Sequence, residues 1–170
     1  MENKRKRFIL DTSVLLYDKA AIHSFPGNDV ILPLQVMDEI DRFKEKPGVV
    51  GEAARYINRF LDELRGRGRL DEGVKIPSSL SDDQTIKITI DEDLSKLPQG
   101  LAKDSGDNRI LATCMYERNK SAGTIVVVTK DINLRVKCDA LGIRAEDYYK
   151  DHLETANVQY RGHREVFETK

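Results

Sequence analysis

Short apolar runs alternate with helical patterns along the chain. Three runs rich in leucine or β-branched residues are typical of strands in a buried parallel sheet: Phe8 to Leu10, Asp29 to Leu34 and Thr124 to Thr129. Four stretches carry the helical period instead: Gln35 to Lys44, Gly51 to Arg65, Asp107 to Asn119 and Ile132 to Leu141. Strands that alternate with helices predict an α/β fold.

Two regions depart from this alternation. Residues Gly66 to Leu101 contain glycines, prolines and one alternating run, TIKITI from Thr85 to Ile90, which predicts an edge strand or an inserted hairpin. The C-terminal end has few apolar residues. A chain of 170 residues suits a single domain. We therefore expect one domain over residues 1–150 and a tail or linker over 151–170.

Acidic residues follow two of the predicted strands. The first strand ends on Asp11 in FILDTSVLL, and the third ends on Asp131 in TIVVVTKD, with a predicted helix after each. A carboxylate at the end of a core strand costs free energy to desolvate unless it is paired. Because the carboxyl ends of parallel strands lie along one edge of a sheet, both acids are expected at that edge.

Two acids in helices are expected at the same edge. Asp107 lies one turn ahead of an apolar stripe and projects toward it. Glu39 falls at the margin of the apolar face of QVMDEIDRFK, whereas Asp38 and Asp41 point the opposite way, toward solvent. Each acid alone is explained equally well as a helix cap or a surface charge. Two carboxylates about 4 Å apart repel by roughly 4 kcal/mol at an effective dielectric near 20, so a set of four predicts a bound cation.

The ligand types favour Mg²⁺ or Mn²⁺ over zinc, because the predicted donors are oxygens without a nearby histidine or cysteine. The histidines His23, His152 and His163 show no metal-ligand spacing and are expected at the surface. The chain has 28 Lys and Arg against 29 Asp and Glu, and a net charge of −1 neither requires nor excludes a polyanionic partner.

The remaining composition indicates a cytoplasmic protein without a membrane segment. Cys114 and Cys138 lie among apolar residues at helical spacing, which suits reduced core thiols better than a disulfide. No uninterrupted apolar stretch approaches the length that crosses a bilayer.

The four acidic motifs together resemble those of the PIN-domain ribonucleases, in order and in their strand and helix contexts. The matching segments are FILDTSVLL with Asp11, ILPLQVMDEIDRF with Glu39, SGDNRILATC with Asp107 and VVVTKDINLRVKCDALGI with Asp131. The stretches DVILPLQVMDEIDRFK and GEAARYINRFLDELR are similar to the PIN domain at the N-terminus of PhoH-like proteins. One departure is Lys130, because many relatives carry Asn or Asp at this position. The resemblance therefore does not establish a complete second metal site.

The resemblance implies a three-layer α/β/α fold with a central parallel sheet, and a Mg²⁺- or Mn²⁺-dependent endoribonuclease that hydrolyses RNA, expected to be single-stranded. Asp11, Glu39, Asp107 and Asp131 would be the catalytic metal ligands, supported by the hydroxyls of Ser13 and Thr129. In PhoH-like proteins the domain precedes a RecA-like ATPase half, but this sequence contains no GxxxxGK[ST] phosphate loop. PIN domains commonly pair, so a homo-oligomer is also expected, with Tyr56 and Phe60 as its candidate apolar surface.

A nuclease must also attract phosphate. The candidate RNA contacts, for which a solvated surface charge is the ordinary alternative, are Arg42, Lys44, Arg55 and Arg59, with Lys46 and the basic N-terminal run Lys4 to Arg7.

Three other functions compete with this hypothesis. A haloacid-dehalogenase-type phosphatase needs a second Asp where this chain has Ser13. A receiver-like domain could use Thr129 and Lys130 beside an acidic Mg²⁺ pocket, but it leaves Glu39 unexplained. The strongest alternative is an RNA- or nucleotide-binding interaction module that keeps an acidic metal pocket with little or no turnover.

Overall fold

A computed structural model describes residues 4–150 of the chain. The strands are β1 (Arg7–Leu10), β2 (Asp29–Pro33), β3 (Val74–Lys75), β4 (Thr85–Thr89), β5 (Ile125–Val128) and β6 (Ala145–Glu146). The α-helices are α1 (Thr12–Tyr17), α2 (Leu34–Asp41), α3 (Gly48–Arg65), α4 (Gly106–Lys120) and α5 (Ile132–Ala140). Two short 3₁₀ helices span Lys19–His23 and Leu94–Lys96. The predicted tail, 151–170, lies outside the described residues.

The strands form one sheet in the order β3-β4-β2-β1-β5-β6. All neighbours pair in parallel except β3, which runs antiparallel to β4. The chain steps from β1 to β2 to β4 in one direction, then crosses back to β5 and continues to β6 in the other. Right-handed crossovers therefore place α1 to α3 on one face of the sheet and α4 and α5 on the other. This arrangement confirms the predicted α/β fold with a mostly parallel central sheet.

The reversal of direction occurs between β1 and β5, which are direct neighbours in register Leu10↔Val128. Loops after such a pair of strands diverge to opposite faces and leave a crevice at the carboxyl edge, where ligands bind in open α/β sheets. Asp11 follows β1 and Asp131 closely follows β5. The topology thus brings the two predicted strand-end acids to the two sides of one crevice.

The central strands are buried on both faces. Phe8, Ile9 and Leu10 of β1 are at most 1% exposed, and all four residues of β5 are buried. This is why both segments are almost continuously apolar rather than alternating. Cys114 and Cys138 are buried and free, as predicted. No helix within residues 4–150 is both long and apolar enough to cross a bilayer.

The alternating segment TIKITI forms the predicted hairpin with β3, but β4 is not an edge strand, because it pairs with β2 on its other side. Its polar side chains have partners within the fold. Lys87 Nζ lies 3.3 Å from the buried carboxylate of Glu117, and Thr85 Oγ1 donates to Asp29 Oδ1 at 2.7 Å. In the sequence, polar residues with internal partners produce the same alternation of apolar and polar positions as polar residues that face solvent on an edge strand.

The prediction of surface histidines is wrong for His23. Its ring is half-buried, its Nε2 shares a hydrogen bond with Tyr56 Oη at 2.9 Å, and it packs edge-on against Tyr56 and Phe60. Burial lowers the pKa of His23 below its ordinary value. These contacts also use the aromatic face of α3 inside the domain, whereas the homo-oligomer itself stays a prediction. His152 and His163 lie outside the described residues.

Candidate functional site

Asp11 is buried, with only 7% of the residue exposed, and its carboxylate accepts three hydrogen bonds. Its Oδ1 accepts the backbone N–H of Thr12 at 2.7 Å, as the N-cap of α1. Its Oδ2 accepts the hydroxyls of Ser13 at 2.8 Å and Thr129 at 2.7 Å. These donors offset the cost of removing the carboxylate from water, and they give Ser13 and Thr129 a defined structural contact with Asp11.

The same hydroxyls tie the turns after β1 and β5 together. Ser13 Oγ accepts the backbone N–H of Lys130 at 3.0 Å, and Thr129 Oγ1 accepts that of Asp131 at 3.0 Å. Asp131 caps α5, because its Oδ1 accepts the N–H of Asn133 at 2.9 Å. The two strand-end acids therefore belong to one hydrogen-bonded unit across the crevice.

Glu39 projects from α2 toward this unit. Its Oε1 accepts the hydroxyl of Thr12 at 2.5 Å. A Cβ added at Gly106, the first residue of α4, would lie 2.8 Å from Glu39 Oε2, so the missing side chain of glycine leaves room for this carboxylate. Asp38 and Asp41 are exposed, as predicted from the helical period.

Asp107 lies in the first turn of α4 and is influenced by two of the other acids. Its pKa is raised above the ordinary value, first by burial and then by the negative charges of Asp131 and Asp11. A side-chain hydrogen bond with Asp131 acts in the same direction, while the nearby cation Lys137 opposes it. Asp107 therefore belongs to the same electrostatic cluster as the two strand-end acids.

An open cavity of about 550 Å³ lies over these acids. It is lined by Asp11, Thr12, Ser13, Leu16, Glu39, Arg42, Phe43, Lys46 and Asp131. Three of the four predicted acids thus face one cavity. Asp107 is not among its lining residues and reaches the cluster through its neighbour Asp131.

The cluster fits a hard divalent cation in its chemistry. Within residues 4–150, no three or more His, Cys, Asp or Glu side chains are arranged so that they could hold a metal ion in their present positions. Both Asp11 oxygens accept internal hydrogen bonds, and Glu39 Oε1 accepts one from Thr12. The ligands that the cluster offers are nevertheless carboxylate oxygens, which hard divalent cations prefer, and a cation would offset the negative charges of Asp131 and Asp11, which act together with burial to raise the pKa of Asp107.

The predicted RNA contacts divide into two groups. Arg42 and Lys46 line the acid cavity, and neither side chain forms an ion pair with any described residue. Lys44, Arg55 and Arg59 line a separate cavity of about 300 Å³. Lys44 pairs with Asp41 at 3.1 Å.

The basic N-terminal run lies far from the acids. Arg5 pairs with Asp29 at 2.7 Å and with Asp83 at 2.9 Å, and Arg7 lies 3.5 Å from Glu117. These residues are at the amino end of β1, whereas Asp11 follows its carboxyl end, roughly 13 Å along the strand. Arg5 and Arg7 therefore lie at the opposite edge of the sheet from Asp11 and form ion pairs there, and their contact with RNA stays a prediction.

Lys130, the departure from the family pattern, is directed toward the end of the described chain. Its Nζ donates to the carbonyl oxygen of Tyr148 at 2.8 Å and lies 3.1 Å from Asp147 Oδ1. The ammonium also lies 4.5 Å from the ring centroid of Tyr17. Thr129 and Lys130 consequently do not form the paired Thr and Lys of a receiver-like pocket.

The sequence patterns missed Thr12, Gly106 and Phe43. The position of Thr12 directly after Asp11 was the signal for its contact with Glu39, because a hydroxyl beside a strand-end acid lies at the same edge of the sheet. Gly106 immediately precedes Asp107, and a glycine at a helix start often marks a close approach. The helical spacing of Phe43 places it on the apolar face of QVMDEIDRFK, which predicts packing against the core, whereas the ring is half-buried at the cavity wall.

The family model of the PIN domain matches residues 8–149. This chain belongs to the PIN domain family. PIN domains generally use divalent metal ions, in agreement with the oxygen donors described above.

Curated relatives agree with this assignment. The chain is 34% identical over 168 residues to Protein PhoH2 of Bacillus subtilis, covering 95% of this chain and 37% of that protein. It is 37% identical over 145 residues to Protein PhoH2 of Thermobispora bispora, covering 84% of this chain and 32% of the relative. The match to Protein PhoH2 of Mycolicibacterium smegmatis is 35% over 150 residues, covering 87% and 33%. This chain therefore spans about a third of the length of the curated relatives that it matches.

Proposed function

We propose that this PIN domain is a Mg²⁺- or Mn²⁺-dependent endoribonuclease that hydrolyses phosphodiester bonds of single-stranded RNA. The observation that supports the proposal is that Asp11, Glu39 and Asp131 line one cavity at the carboxyl edge of the sheet, beside the two strands where the chain reverses direction. Charge of one sign concentrated at a topological switch point is typical of a functional site.

The acids take different parts in this proposal. Asp11 and Asp131 are the central ligands, since they end the two strands that flank the crevice, and Glu39 and Asp107 complete the shell directly or through water. When bound, the divalent ion supplies a Lewis acid and lowers the pKa of a water molecule. Ser13 and Thr129 keep Asp11 oriented through their hydroxyl hydrogen bonds.

The cations on the cavity wall attract the phosphates of the substrate in this proposal. Arg42 and Lys46 line the same cavity as the acids and have no ion-pair partner in the described part of the chain. Their charges can therefore neutralise phosphates on either side of the bond that is cleaved.

The test is cleavage of an end-labelled single-stranded RNA by protein that has been stripped with EDTA and then supplied with Mn²⁺, Mg²⁺ or no metal. Glu39→Gln should lower the cleavage rate by at least about tenfold, which is the lower limit expected when a residue that supports a metal site is replaced. Asp38→Asn is the matched control, because Asp38 is an exposed acid on the same helix, and it should leave the rate unchanged.

Two results would contradict the proposal. One is cleavage that continues in EDTA, which would indicate a contaminating or metal-independent activity. The other is an equal rate for Glu39→Gln and Asp38→Asn. Protein carrying Asp11→Asn, purified identically, controls for contaminating ribonucleases.

A specific observation favours the second candidate, an RNA- or nucleotide-binding module with little turnover. Both Asp11 carboxylate oxygens already accept internal hydrogen bonds, and no group of three acids or other ligands among residues 4–150 is placed to hold a metal. RNA retention that is identical in EDTA, Mg²⁺ and Mn²⁺, without cleavage, would support this candidate.

Partners of the larger protein also belong to the proposal. The relatives are about three times as long as the matched region, so a RecA-like ATPase half beside this domain follows from the resemblance. A homo-oligomer and a cytoplasmic location remain predictions. Light scattering at micromolar concentration tests the oligomer, and a monomer would remove it.

A further inference from the structure

The turn that follows α2 forms one wall of the acid cavity. The chain leaves the helix at Asp41 and closes through hydrogen bonds from the N–H of Phe43 to the carbonyl of Ile40 at 2.9 Å, and from the N–H of Lys46 to the carbonyl of Phe43 at 3.0 Å. We call residues 42–46 the wall turn. Three of its side chains, those of Arg42, Phe43 and Lys46, line the cavity.

Helix α3 fixes the wall turn from behind. Arg55 Nη1 donates to the carbonyl oxygens of Lys44 at 2.7 Å and Lys46 at 3.3 Å. A Cβ added at Gly51 would overlap the carbonyl of Lys46, so only glycine allows the turn to lie this close to the helix. The wall turn is thus held in one position by contacts that do not involve the acids.

The cavity combines three kinds of side chain. The carboxylates lie beside the apolar groups of Phe43 and Leu16, both half-buried, and beside the cations of Arg42 and Lys46. A metal site alone needs no aromatic wall. An aromatic ring and two cations on one cavity wall match a nucleotide, whose base stacks on the ring while its phosphates bind the charges.

Resting on the function proposed above, we propose that the wall turn is a subsite for one unpaired nucleotide, in which Phe43 stacks against the base and Arg42 and Lys46 bind the flanking phosphates. A cavity of about 550 Å³ is within the range that takes a small ligand of this size. A base inside a duplex is already stacked and paired, and moving it onto Phe43 costs free energy. The wall turn therefore makes the domain selective for single strands.

The first experiment measures binding without cleavage. Fluorescence anisotropy follows a labelled uridylate octamer in Ca²⁺, whose looser coordination supports hydrolysis poorly. Two further ligands are the same strand extended into a hairpin whose stem pairs all eight uridines, and an octamer of abasic sugar phosphates. The wild-type protein should bind the unpaired octamer more tightly than either of the others.

Variants of Phe43 separate stacking from packing. Phe43→Leu keeps an apolar side chain but removes the ring, and it should weaken binding of the unpaired octamer by about tenfold. Phe43→Tyr should restore it. Binding of the abasic octamer should be unchanged in both variants, because it offers no base to stack.

A second variant moves the wall turn without changing its side chains. Gly51→Ala should weaken binding of the unpaired octamer, because the methyl group displaces the carbonyl of Lys46. Gly66→Ala is the matched control, since its Cβ would come no closer than 3.4 Å to the carbonyl of Glu63. Melting curves identify any variant that has lost its fold, in which case Phe43→Leu decides.

Equal weakening of the abasic and uridylate octamers by Phe43→Leu would overturn the subsite, as would no weakening or the absence of binding by the wild-type protein. These results are distinguishable from failure of the proposed ribonuclease. Base-dependent binding without cleavage in Mn²⁺ would support the nucleotide subsite and contradict the proposed ribonuclease activity. Cleavage at the same rate by the wild-type protein and Phe43→Leu would contradict the subsite and leave the proposed ribonuclease activity standing.

Discussion

Replacing Thr129 by valine tests how strand-end hydroxyls hold the central carboxylate. Thr129 is fully buried, and its Oγ1 donates to Asp11 Oδ2 at 2.7 Å while accepting the N–H of Asp131 at 3.0 Å. Valine has nearly the same shape as threonine, so the substitution removes two hydrogen bonds without opening a cavity.

The expected loss follows from these two contacts. A hydrogen bond to a charged group contributes about 1.5–3 kcal/mol, and an N–H left without its partner adds about 1 kcal/mol at a half-exposed position such as Asp131. The free energy of unfolding should therefore fall by about 2–4 kcal/mol. For a domain of this size, that lowers the melting temperature by roughly 5–15 °C.

Thermal denaturation followed by circular dichroism, without metal and at neutral pH, measures the loss. Thr113→Val is the matched control, because Thr113 is also buried but its hydroxyl donates to the carbonyl of Arg109 within the same helix, at 3.1 Å. That bond to a neutral acceptor should contribute about 1 kcal/mol or less. Equal losses in the two variants would refute the inference that Thr129 stabilises a buried charge.

Asp107→Asn should raise the melting temperature of the metal-free protein at neutral pH, because burial and two neighbouring aspartates raise the pKa of Asp107 and its ionisation opposes folding. The wild-type protein should gain stability relative to this variant as the pH falls through the raised pKa toward 3.8, and a pH-independent difference would contradict this. Gly106→Ala should weaken Mn²⁺-dependent cleavage, because its Cβ would lie 2.8 Å from Glu39 Oε2, and an unchanged Mn²⁺ titration would argue against this contact. Burial raises the pKa of Cys114 to about 11 and of Cys138 to about 12, so iodoacetamide at pH 8 should label them only as fast as the protein unfolds, and rapid labelling of the native protein would be inconsistent with this.

Much of the fold was predictable because its central strands are buried on both faces. Segments such as Phe8 to Leu10 leave no polar alternation, and a helical period follows each of them. Strand β4 was harder to predict, because the polar Lys87 has a buried partner, Glu117, from a distant helix. No local pattern contains that pairing.

The candidate site was predictable where chain position determines placement. Asp11 and Asp131 lie at the same edge of the sheet because the strands that they follow are neighbours. The helical period places Glu39 on a different side of its helix from the exposed Asp38 and Asp41. The wall turn was not predictable as a cavity wall. Its position depends on Arg55 and Gly51, whose contacts arise from packing between two helices.

The most direct test of the four-acid metal site is anomalous diffraction at the manganese edge from crystals soaked in Mn²⁺. The proposal predicts one peak or two neighbouring peaks within about 2.0–2.4 Å of carboxylate oxygens, since hard divalent ions bind oxygen at such distances. Asp11 and Asp131 should be among the ligands, with Glu39 and Asp107 bound directly or through water. Occupied Mn²⁺ peaks elsewhere in the molecule, with the carboxylate of Asp11 still bonded only to its internal donors, would contradict the account.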